Sequence, residues 1–160
     1  MSRTEYVFTH TTEVPADPTR VHAVLIDLEH YVDWWPQVRA VASIGPDDAL
    51  VVCRSVLPYD LELRLHATSR EPDRLQVDID GPIRGYARWS LVRTHDGTRL
   101  EFEQRVHAVD RMFVVASYLV KPLLAWNHRR MMVGAERGLA QHRCWLSLSK
   151  PQPSAAIAAS

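Results

Sequence analysis

Trp126-Asn127-His128-Arg129-Arg130-Met131-Met132-Val133-Gly134, followed four residues on by Gly138-Leu139, is a helix-forming run that carries two glycines on one face. Each glycine in a helix interior costs roughly 1 kcal/mol in propensity, so a bare stripe of this kind implies a close neighbour, either another backbone or a bound molecule. The run ends a long, mostly apolar stretch, residues 112–142, that arrives only after a succession of strand-like segments. A curved sheet crossed by this helix, with a cavity between the two, is the architecture that order predicts.

Working back toward the N-terminus, Tyr6, Phe8, His10, Thr12 and Val14 share one parity of a half-buried strand. Asp17 is a good N-cap with Pro18 at the first helical position, and Val21, Val24, Leu25 and Leu28 then recur at helical spacing. A second short helix, residues 30–35, presents Tyr31, Trp34 and Trp35 before Pro36 stops it. Six further strands are separated by turn chemistry at Gly45-Pro46-Asp47-Asp48, Leu57-Pro58, Glu71-Pro72-Asp73, Gly81-Pro82 and His95-Asp96-Gly97. Leu61, Leu63, Leu65 and Ala67, then Leu75, Val77 and Ile79, then Leu100, Phe102, Gln104 and Val106 alternate with charged neighbours, which predicts antiparallel strands with one dry face. The final helix is the only element long enough to cover that face. Pro122 should open it, because proline suits a first turn and breaks an interior. Residues 112–120 then form a separate short helix or a kinked lead-in.

Composition bounds the rest. A chain of 160 residues, 46% hydrophobic, suits one domain over residues 1–146 with a loose Pro/Ser/Ala tail over 147–160. Nineteen basic and nineteen acidic side chains are interspersed, which argues against nucleic acid as a partner. Two cysteines, Cys53 and Cys144, form no disulfide framework, and the polar N-terminus lacks the apolar core of a signal peptide, so a cytoplasmic location is expected. The apolar window 112–120 is too short to span a membrane, so no stable insertion is expected. His142 and Cys144 are too few to hold zinc, and Gly-x-Ser-x-Gly and Gly-rich phosphate loops are absent. No metal and no cofactor are expected.

The element order, the Pro15-Ala16-Asp17-Pro18-Thr19-Arg20-Val21 helix entry, the Tyr31-Val32-Asp33-Trp34-Trp35-Pro36 segment and the Gly85-Tyr86-Ala87-Arg88-Trp89-Ser90-Leu91 strand resemble the START-related SRPBCC superfamily. Trp126-Asn127-His128 with Met131, Gly134 and Gly138-Leu139 resembles its bacterial polyketide cyclase/dehydrase and lipid-transport branch. The resemblance implies an α+β helix-grip (START-like) fold: a seven-stranded curved antiparallel sheet wrapped around a long C-terminal helix, with two short helices after the first strand. It also implies an apolar cavity for a lipid, polyketide or other hydrophobic molecule.

On that reading the ligand-binding candidates are Trp89, Trp126, Asn127, Arg130, Met131, Gly134 and Gly138. Aromatic residues Tyr31, Trp34, Trp35 and Tyr59 are candidates for the cavity mouth. If there is catalysis, His10, Tyr59, Asn127 and Arg130 are the polar groups able to polarise a carbonyl or move a proton. Three functions are open: a carrier or sensor of a hydrophobic small molecule, a cofactor-independent polyketide aromatase/cyclase or dehydratase, and a module that docks on a protein or membrane. Either a monomer or a homodimer is compatible with the sequence.

Overall fold

The computed structural model describes residues 5–54, 60–109, 122 and 125–141. Strand β1 (Glu5–Val14) is followed by helix α1 (Pro18–Ile26), a single 3₁₀ turn (Leu28–His30) and the short helix α2 (Tyr31–Trp34). Strands β2 (Val38–Ser43), β3 (Asp48–Arg54), β4 (Asp60–Glu71), β5 (Arg74–Asp80), β6 (Ile83–Thr94) and β7 (Gly97–Ala108) come next. The final helix, α3, covers residues 125–141, and residue 122 is also helical. The expectations for residues 112–120, Tyr59, Cys144 and the tail lie outside the described residues.

All seven strands pair antiparallel in the order β1-β7-β6-β5-β4-β3-β2, so the first strand closes against the last. Local chemistry sets these boundaries. The Asp17 carboxylate accepts a hydrogen bond from the Thr19 N–H at 2.9 Å, and Pro18 follows in the first turn of α1. The bonds from Thr19 and the Arg93 side chain hold the Asp17 carboxyl below the usual carboxylate range.

Curvature has its own devices. Register shifts interrupt β2 between Val38 and Ala40 and β4 between Ala67 and Ser69, which bends those strands. Gly85 in β6 has φ +156°, and a side chain there would run into the backbone carbonyl of Arg105 in β7.

The dry parity of the sheet faces α1, α2 and α3. Val14, Leu75, Trp89, Leu91, Leu100 and Phe102 form one buried cluster with Trp34 of α2 and with Met132, Ala135 and Leu139 of α3. The inward face of α3 therefore runs through 128, 132, 135 and 139, rotated from the 127/131/134/138 stripe that the glycines suggest. Gly134 and Gly138 serve packing. A Cβ at Gly138 would overlap the carbonyl of Trp34 at the end of α2, and one at Gly134 would meet only the side-chain amide of Gln37.

A backbone cannot retreat as a side chain can, so the two glycines should respond differently to alanine. Gly138→Ala should destabilise by about 2 kcal/mol net, since overpacking exceeds the propensity gain of about 1 kcal/mol. Gly134→Ala should be close to neutral. Urea unfolding of both variants decides the point, and equal midpoints would refute the packing role of Gly138.

Candidate functional site

Between the concave face of the sheet and α3 lies a cavity of about 380 Å³. Its floor comes from inward positions on β3 to β7, including Val51, Leu63, Val77, Ala87 and Phe102, and its roof includes Tyr31, Trp35 and Met131. A smaller chamber of about 120 Å³ lies beside it, between β1, β3, β4, β6, β7 and the first turns of α3. Cys53, Leu63, Gln104 and Met131 line both, so the two spaces adjoin across those four side chains.

The larger chamber carries its charge at the edge. Asp27 and Glu29 in the 3₁₀ turn region, Asp47 and Asp48 at the start of β3, and Arg70 at the end of β4 contribute to its wall. Arg70 pairs with Asp47, while the Asp48 carboxylate lies 3.3 Å from the Arg64 guanidinium. Deeper in, the one ionisable side chain besides Tyr31 among the described residues is Cys53, whose thiol burial pushes up to about 11, with Asp60 adding to the effect. Such a thiol stays protonated at neutral pH and is a poor nucleophile. Burial likewise raises the Tyr31 phenol well above its ordinary range, with Asp27 adding, and its hydroxyl donates to the Leu25 carbonyl at 2.5 Å.

Of the candidates from the sequence, Trp89 and Met131 line the larger chamber, with Trp89 tilted against Phe102 at 4.7 Å between centroids. Asn127 lines the smaller one, where its amide donates weakly to the Met131 sulfur at 3.9 Å. Trp126 and Arg130 are exposed and belong to neither wall; the guanidinium sits 5.5 Å from the indole centroid. The rotation of α3 accounts for this, because positions 126 and 130 turn away from the sheet. Gly134 and Gly138 are absent from both walls for the packing reason given above.

Tyr31, Trp34 and Trp35 are buried rather than set at an opening. They pack on one another, Tyr31 tilted against Trp34 with centroids 4.7 Å apart and Trp34 stacked on Trp35 at 5.6 Å. Trp35 donates its indole N–H to the Met131 carbonyl at 3.1 Å, which fixes α2 to α3. Exposed parts of the wall are Ile26 at the end of α1 and polar or turn residues, among them Asp27, Glu29 and Pro46.

His10 lies in neither wall. Its Nε2 is 3.7 Å from the Glu136 carboxylate, and the other oxygen of that carboxylate accepts the Thr12 hydroxyl at 2.6 Å. The sequence offered no acidic partner for His10; Glu136 is supplied by α3 from far along the chain. His128, on α3, is set among aromatic rings. Its ring stacks on Phe8 at 4.4 Å and on Phe102 at 5.6 Å, and burial, reinforced by nearby His10, pushes its pKa down to about 4. It is a neutral imidazole at pH 7.

Among the described residues no group of three or more His, Cys, Asp or Glu could hold a metal ion, and no helix is long and apolar enough to cross a membrane. Residues 6–141 match the family model described as polyketide cyclase/dehydrase and lipid transport. No curated protein matches the chain. Among solved structures, a protein from Thermus thermophilus is 17% identical with a TM-score of 0.69, covering 92% of this chain and 100% of that one. An aromatase/cyclase from a Streptomyces species is 16% identical with a TM-score of 0.66, covering 89% and 96%. A START superfamily protein from Mycobacterium smegmatis is 11% identical with a TM-score of 0.66, covering 88% and 98%.

Proposed function

We propose that this chain, which belongs to the polyketide cyclase/dehydrase and lipid-transport family, binds a hydrophobic small molecule in its larger chamber and releases it unchanged, as a cytoplasmic carrier or sensor. The observation that carries this reading is the chemistry of the chamber wall. Its inner surface is built from Val51, Leu63, Val77, Ala87, Trp89 and Phe102, and its charged groups sit at the edge. Apolar surface buried by a ligand there contributes about 25 cal/mol per Å². A wall of this kind favours burial of an apolar body, and its described residues offer no acid and base placed together for proton transfer.

A second reading, cyclisation of a polyketide-like substrate, draws on the neutral imidazole of His128 beside the smaller chamber. General base catalysis needs a proton acceptor with a pKa near the working pH, and a value near 4 makes His128 a weak one. We therefore place binding first. Native mass spectrometry of protein purified from its own source, followed by organic extraction, should release an apolar molecule whose mass the protein leaves unchanged on re-incubation. Cyclisation or dehydration of a reactive poly-β-ketone faster than in buffer would displace the carrier reading.

A further inference from the structure

The smaller chamber has a chemistry that the larger one lacks. Tyr6, Phe8, Asn127 and His128 line it and not the larger chamber, while Gln104 and Met131 belong to both walls. Two polar atoms on those residues, the Tyr6 hydroxyl oxygen and His128 Nε2, are buried and have no hydrogen-bond partner among the described residues. Folding leaves few buried polar groups unpaired, since each one is costly without a partner. Two of them on the wall of one small space suggest that something else completes their bonding.

Resting on the binding role proposed above, the geometry points to the smaller chamber as a subsite for a neutral hydrogen-bonding group, a hydroxyl or carbonyl at one end of an otherwise apolar ligand whose body fills the larger chamber. The shared wall of Cys53, Leu63, Gln104 and Met131 is where the ligand would cross from one to the other. A phenol oxygen both donates and accepts, and a neutral imidazole nitrogen does one or the other according to its tautomer, so the pair suits an alcohol or a ketone equally. Charge is a poor match. His128 is held neutral by burial, and Arg54, the only cationic side chain in this wall among the described residues, is exposed.

The test compares two isosteric neutral probes, 4-phenylphenol and 4-methylbiphenyl, on the full chain and on Tyr6→Phe, His128→Phe and the double variant. Phenylalanine at 128 keeps a ring to stack on Phe8 and Phe102. Affinity for 4-methylbiphenyl should hold in every variant, while the preference for 4-phenylphenol over it should fall roughly tenfold in the double variant. An unchanged preference, with both probes still bound, would overturn the subsite and leave the carrier reading intact. Tighter binding of biphenyl-4-carboxylate than of 4-phenylphenol by the parent would overturn its neutral character. Failure of every probe to bind the folded parent would count against the carrier reading itself.

Discussion

Lowering the pH from 6.5 to about 4 is expected to remove about 3 kcal/mol of stability through the single side chain of His128. Its ring lies against Phe8 and Phe102, and burial lowers its pKa in the folded protein from the ordinary 6.5 to about 4. The folded pKa is the lower of the two, so between these values the unfolded chain binds a proton that the folded chain refuses. The contribution is therefore fully present above pH 6.5, declines as the pH falls, and is gone below about 4.

His10 adds in the same direction, since a charged His128 would face a second imidazole across the β1–α3 contact, with Glu136 beside it. Urea unfolding at neutral pH and near pH 4 should show the parent losing about 3 kcal/mol more than His128→Phe, which keeps the stacked ring and cannot titrate. Equal losses in the two proteins would show that His128 is not held neutral by its surroundings.

The strands were readable because their signal is local. Parity over Leu61–Ala67, Leu75–Ile79 and Leu100–Val106 reports which face is dry, and prolines and glycines mark most of the junctions, so order and pairing follow. The stripe on α3 was legible only in part: Asn127 and Met131 line the chambers, and the two glycines do not. A glycine stripe reports close approach without saying to what, and here the neighbours are the end of α2 and Gln37 instead of a ligand. Spacing of Met132, Ala135 and Leu139 carried the correct face, and following it would have turned Trp126 and Arg130 outward.

Gln104 and Tyr6 were also visible in outline. Each is a polar side chain on the dry parity of its strand, the kind of exception that marks a site more reliably than apolar residues do. The Thr12–Glu136 hydrogen bond was not visible, because it joins residues 124 positions apart and depends on how α3 lies across β1.

Binding of a neutral apolar dye, N-phenyl-1-naphthylamine, to the parent and to Ala87→Trp tests most directly whether the larger chamber is the ligand site. Ala87 is paired with Val77 on one side and Gln104 on the other, and all three line that chamber, so an indole at 87 would project from the sheet into the space the dye needs. Val92→Trp is the control, because Val92 sits on the same strand, is 39% exposed and lies outside both walls. The parent and Val92→Trp should bind one dye saturably, and Ala87→Trp, folded by circular dichroism, should bind it at least roughly tenfold more weakly. Undiminished binding by folded Ala87→Trp would place the hydrophobic ligand somewhere other than this cavity.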